Sequence, residues 1–410
     1  MTKINMFKLK LIGPGIVLAA AGVGAGDIIT SGVAGASFGL TLLWALLIGG
    51  IFKYYLNEGM ARYQLATGKT FMEGYTNKFI GFNYYFIVYL IIWSFIVGGA
   101  LLSGIGIVTN AVFPIFSMEV WGIICGLLVL SFCITGTYKK FELVMKCFAL
   151  LMFVCFLYSA ISVFPSLIPF LKGLFIPIIP SEGGFFDTSF KVLALLGGVG
   201  GTVTIMAYSY WIKEKGVTTV EDLPTIKLDL ILGYIITVLF GICVLIVAAV
   251  ILHPTGGIIA GKKGIILLAQ SLGEILGPFG FWVFIIGFWA AIFSSLCSFY
   301  QAIPYLFCDA IRLTSNKKRE VINTKSWTYK GYMLYCVFPP MILLFLKKPV
   351  FLIMSYSVLG AFFMPFLALM LLIVNNEKVL GEYKNKVHHN IIIILILVVM
   401  TVLSLWKFIK

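Results

Sequence analysis

Apolar windows of near-membrane length, one after another with short polar breaks between them, constrain this chain more than any other feature of its sequence. A bilayer core about 30 Å thick takes roughly 20 apolar residues as a helix. Windows of that kind fall at about residues 12–37, 40–66, 82–108, 121–137, 141–166, 190–212, 226–252, 278–311, 331–346, 350–374 and 390–408. The pattern predicts an all-α integral membrane protein of about eleven transmembrane helices, with residues 1–410 forming a single domain. A mean hydropathy of +1.06 and only 11% charged residues exclude a soluble fold. The longest connection, about residues 167–189, is too short for a soluble domain and reads as an irregular, partly interfacial segment. The first apolar stretch outruns the core of a signal peptide, so it is expected to remain as a helix.

The formal charge of +14 has the size of a nucleic-acid footprint, but its distribution is that of a topology signal. With the N-terminus inside, 20 of the 30 basic residues fall on the cytoplasmic side and 8 on the other, while Lys53 and Lys146 lie within spans. The asymmetry predicts a multi-pass protein of the cell membrane with a cytoplasmic N-terminus and an extracellular C-terminus. Its expected partners are the lipid bilayer and a small substrate, with no nucleic acid, and the oligomeric state is left open. The eight cysteines include no C-x-x-C pair and read as packing residues. No nucleotide-binding loop is present, and no acid–base pair or activated nucleophile can be picked out within the spans, so neither direct ATP drive nor enzymatic activity is expected. No cofactor is expected either.

Two windows carry a glycine density that weakens a helix by about 1 kcal/mol per residue relative to alanine. Span one contains AAAGVGAGDIITSG at residues 19–32, with Asp27 in a run otherwise free of charge. Span six contains LLGGVGGTVTIMAYSYW at residues 195–211. Glycine also serves close helix packing in membranes. The two segments, however, occupy corresponding places in two five-helix halves, 12–166 and 190–374, with 390–408 as an additional eleventh helix. Paired interruptions of this kind point to a transporter of inverted repeats. A carboxylate at bilayer depth is rare without a task.

These segments resemble the Nramp family, the natural-resistance-associated macrophage protein family of divalent metal-ion transporters. The stretch GPGIVLAAAGVGAGDIITSGVAGASFGLTLLW is similar to the family's first helix, with its opening Gly13-Pro14-Gly15 and the later AGA-x-FG. NEGMARYQLATGKTFMEGY at the end of span two resembles the stretch around LGIVTGK. Span eight follows the spacing of the ASGQSS motif with Ser294 and Ser295, and span ten keeps a proline as Pro365. The resemblance implies a LeuT-like fold with unwound centres in helices one and six, and a divalent metal ion as the transported substrate.

Against the family's D-P-G-N, this chain has Gly24-Ala25-Gly26-Asp27, so its one carboxylate sits three residues along. Aligned on the T-V of A-T-V-M-P-H, Gly201 offers the backbone carbonyl, Thr204 takes the methionine's place and Met206 the histidine's. A slip of one or two residues would make Met206 the thioether ligand, which favours softer transition metals, whereas Thr204 makes an all-oxygen site open to hard ions such as Mg²⁺. The implied metal-binding set is Gly24, Asp27, Gly201 and Thr204, with Met206 as a rival and Tyr208 completing or gating the site. Span three has no acid where the family carries a glutamate, so proton coupling by the family's route is not expected. Glu58, Glu142, Asp229 and Asp309, near span ends, are expected to be solvated or interfacial, and His388-His389 to lie in a terminal loop. The aromatics Trp93, Tyr208, Tyr210 and Trp211 leave open a larger organic cation or a metal chelate as substrate, and a non-transporting membrane sensor is a second alternative.

Overall fold

A computed structural model describes residues 13–180, 185–257, 259, 261–315 and 322–405. The KKRE run at 317–320 lies outside the described residues. Every regular element among the described residues is helical. Span one is two helices, Pro14–Gly22 and Ala25–Phe38, and span two follows at Leu43–Thr67 after a tight turn in which Gly39 takes a φ of 57°. The continuous stretch Ala25–Thr67 is 43 residues long, enough for two crossings at 1.5 Å per residue. Spans three to five are Gly81–Val112, Met118–Thr135 and Tyr138–Ser162. Span six is Phe185–Gly198, a 3₁₀ turn Val203–Ala207 and Tyr208–Glu214. Spans seven and eight are Leu223–Ile251 and Pro278–Thr314. Span nine begins as Trp327–Val337 and tightens to 3₁₀ geometry over Pro339–Leu346, where two prolines remove ladder donors. Spans ten and eleven are Pro349–Val374 and Val387–Leu405.

The ends of these helices follow from local chemistry. The Ser117 and Ser326 hydroxyls accept from the amides of Val120 and Tyr329, capping spans four and nine. Two elements differ from expectation. The long connection after span five holds a short helix, Leu167–Phe175, and the connection between spans seven and eight holds Gly261–Leu276. The latter's apolar stretch is too short to register as a span.

Spans one and six form the centre of the bundle. All of Pro14–Gly22 except Ile16 is buried, and span six is the most fully buried of the candidate spans among the described residues. Span seven packs against both halves of span one and against span two, span eight against spans three and five, and span ten against the first half of span six. Large apolar side chains such as Val88, Ile92, Leu128, Leu150, Ile168 and Val398 are exposed on the outside, where a membrane protein meets lipid. A helix apolar all round can sit only in such surroundings.

Candidate functional site

The ladder of span one stops at Gly22. Val23 still donates to the Ala19 carbonyl, but Val23 and Gly24 are extended and the next helix starts at Ala25. This frees carbonyls at a depth where an unpaired one costs several kcal/mol. Span eight supplies the donors. The Ser294 hydroxyl lies 2.9 Å from the Ala20 carbonyl, and the Ser295 hydroxyl lies 3.3 and 3.2 Å from those of Ala21 and Val23.

Span six breaks at Gly200-Gly201, whose φ angles of 71° and 84° lie in the left-handed region that side chains with a Cβ avoid. Here the freed carbonyls belong to Gly197 and Gly201, and both accept from the ammonium of Lys53 on span two, 2.9 Å away in the case of Gly197. Lys53 is only 1% exposed. The two breaks touch: a Cβ on Gly22 would come within 2.5 Å of the Gly200 carbonyl carbon.

Asp27 joins them. One carboxylate oxygen accepts from the Gly24 amide at 3.3 Å, and the other accepts from the Gly200 amide at 3.3 Å. Its place in the first turn of Ala25–Phe38 also puts it at the positive end of that helix. A cavity of about 40 Å³ opens between the breaks, with Asp27, Thr204, Ser295, Trp93, Phe299 and Tyr356 among its walls. That volume suits an ion with a water or two.

Of the residues expected at the site, Gly24, Asp27, Gly201 and Thr204 all line this cavity. Met206 and Tyr208 do not. Met206 is buried within the 3₁₀ turn, and Thr204 stands at the cavity. Tyr208 points to another task, its hydroxyl donating to Asp229 at 2.9 Å. Asp229 also accepts the amides of Gly13 and Gly15 at 2.9 and 2.6 Å and so caps the start of span one.

The acids expected to be solvated are in fact buried and bound. Asp309 accepts from Tyr210 at 2.6 Å, Thr70 at 2.8 Å and Arg312 at 2.6 Å. Glu142 pairs with Lys146 and Lys215, both at 2.6 Å, and Glu58 with Arg62 at 3.0 Å. They lie where spans one, five and seven begin and spans two, six and eight end. At that end of the bundle, helix termini and basic side chains converge on them. His388 and His389 likewise sit in the first turn of span eleven, with His389 Nδ1 accepting from the Lys386 amide. No group of three His, Cys, Asp or Glu side chains placed to hold a metal exists among the described residues.

Lys53 is the residue that a reading of motifs misses. Its signal is present in the sequence: a lone lysine inside the apolar window 40–66, at a depth where a cation needs a partner.

The model of the natural resistance-associated macrophage protein-like family matches residues 15–410. The chain is 26% identical over 286 residues to the divalent metal cation transporter MntH of Yersinia enterocolitica, with 65% of each chain covered. It is 28% identical over 201 residues to the poplar (Populus trichocarpa) metal transporter Nramp6.2, covering 47% of this chain but only 35% of that relative's length. In structure it is similar to a manganese transporter of Eremococcus coleocola, with a TM-score of 0.80 at 15% identity, covering 99% of this chain and 88% of that one. It is also similar to Mhp1, a nucleobase-cation-symport-1 family transporter, with a TM-score of 0.56 at 12% identity over 97% of this chain and 90% of the other. These likenesses carry the LeuT-like architecture of two five-helix halves. By its sequence over nearly its whole length, the chain belongs to the natural resistance-associated macrophage protein-like family.

Proposed function

We propose that this chain is a secondary transporter of divalent metal cations that works by alternating access around the cavity between the broken spans one and six. The observation that carries the reading is the cavity itself: about 40 Å³, with the Asp27 carboxylate and the hydroxyl-bearing Thr204 and Ser295 on its walls. Such a set suits hard ions that keep part of their water. It supports a substrate range that includes Mg²⁺ beside Mn²⁺, because Thr204 and no thioether faces the cavity. The names of the relatives, a divalent metal cation transporter and a metal transporter, are in keeping with this class of substrate. The basic asymmetry supports a cytoplasmic N-terminus and an extracellular C-terminus. An acid-free span three supports transport without obligatory proton entry.

A second reading, an organic cation or metal chelate, is favoured by the aromatic walls Trp93, Phe299 and Tyr356. It requires the cavity to widen severalfold, since small-molecule pockets run to hundreds of cubic ångströms. Purified protein in liposomes carrying reporters for Mg²⁺, Mn²⁺ and pH separates the two. Uptake of both metals with no acidification of the lumen is the expected result. If neither metal moves under any gradient, the bare-metal reading fails and the organic substrate takes its place.

A further inference from the structure

We infer that Lys53 is a tethered cation that occupies a cation position on the broken span six, so that the carbonyls of Gly197 and Gly201 are closed to any transported ion while its ammonium is seated there. The inference rests on the transport reading above for its consequence, but its geometry stands independently. Lys53 lies mid-span, 1% exposed, and reaches across to two carbonyls that are 144 and 148 residues away in sequence. Those carbonyls are free only because the helix is broken at Gly200-Gly201. Carbonyls from an unwound helix are the groups with which this architecture coordinates small cations. An ammonium with three donors and no lone pair can satisfy them but adds no ligand for another cation.

Charge leads to the same conclusion. Asp27 accepts the Gly200 amide while Lys53 donates to the Gly197 and Gly201 carbonyls, so an acid and a base face break six together. Their charges cancel, so an arriving dication meets a neutral site unless the ammonium withdraws. Lys53 is thus a specificity-determining residue, one that lowers affinity for bare dications and keeps break six from holding an ion of its own.

The test is thermal unfolding of the purified full-length protein in choline chloride, with K⁺, methylammonium, Mg²⁺ or Mn²⁺ added in turn. Lys53→Ala leaves the carbonyls and Asp27 facing an empty pocket. It should melt lower than wild type in choline alone and regain several degrees, saturably, with at least one small cation, as expected when a ligand binds only the folded state. Wild type should show no response to K⁺ or methylammonium. A folded Lys53→Ala that responds to no cation, or only as wild type does, overturns the proposal. Should Lys53→Ala not fold, Lys53→Met keeps the length of the stem and removes the charge and the donors without adding an oxygen, and its affinity for Mg²⁺ should tighten by at least about tenfold. Unchanged affinity in that variant also overturns it. The melting readout needs no transport. A cation-dependent Lys53→Ala beside a wild type that moves no metal would remove the metal-transport reading and leave the tethered cation in place.

Discussion

The two helix breaks look alike in sequence and are satisfied in opposite ways. At break one the freed carbonyls of Ala20, Ala21 and Val23 accept from the neutral hydroxyls of Ser294 and Ser295. At break six the freed carbonyls of Gly197 and Gly201 accept from a charged ammonium. A hydroxyl that donates one proton keeps its own lone pairs, so Ser295 can close a backbone gap and still turn an oxygen to a cation. An ammonium keeps none. On the proposed reading break one is the half open to an ion and break six the half occupied by Lys53, with Asp27 held between them by one amide from each. Similar glycine punctuation opens a helix in both places. What each opening can do is decided by the side chain that another span sends into it.

The largest expected effect is on Asp27, the one charge that break one offers. Asp27→Asn keeps the shape and one acceptor oxygen but removes the carboxylate. Dication affinity should fall at least tenfold, about 1.4 kcal/mol, while the protein stays monodisperse in detergent. Calorimetry showing unchanged affinity would falsify the assignment of Asp27 as the principal ligand and erase the distinction between an open and a filled break.

The serine pair gives a finer, medium-sized test of the same contrast. Ser294→Ala removes the one hydroxyl proton that the Ala20 and Ala291 carbonyls share, and Ser295→Ala removes the one that Ala21 and Val23 share. Each buried acceptor left unpaired costs about 1–3 kcal/mol. Both variants should melt below wild type by similar margins, since each loses one donated proton. Only Ser295→Ala should also weaken metal affinity, because only Ser295 lines the cavity. Equal losses of affinity in the two variants would mean that the serines act through backbone stability alone.

Much of this architecture was legible in the sequence because its signals are local. Apolar length marks the spans, and glycine density with a lone Asp27 marks the breaks. The filling of break six was not, because Lys53 meets Gly197 across 144 residues and no local pattern encodes that contact. The same reason explains the acids near the span ends. Position along a helix says that Asp229 could reach water, but not that the amides of Gly13 and Gly15 and the Tyr208 hydroxyl come to it first. That network also engages Tyr208, the residue expected to complete or gate the site, away from the cavity. The choice between Thr204 and Met206 was open in sequence because a broken helix loses the 3.6-residue period that would fix which side chain faces inward. The 3₁₀ turn Val203–Ala207 leaves Thr204 on the cavity wall and Met206 off it.

The smallest expected effect concerns that register and bears on selectivity rather than on strength. Thr204 brings a hydroxyl to the wall of an all-oxygen cavity, and a hydroxyl serves Mg²⁺ and Mn²⁺ nearly alike. A thioether at the same place contributes little to a hard ion and more to a polarizable one. Thr204→Met should therefore shift transport toward Cd²⁺ or Mn²⁺ relative to Mg²⁺ by a few-fold, measured as the ratio of initial uptake rates in liposomes. Met206→Leu should leave that ratio as it is in wild type, since its sulfur does not line the site. The reverse pattern, with Met206→Leu abolishing Cd²⁺ preference and Thr204→Met changing nothing, would place the sulfur of Met206 on the ion in another state of the transport cycle. Span six would then have to rotate its 3₁₀ turn during transport, and the seat of Lys53 on Gly197 and Gly201 would be the contact that such a rotation must first release.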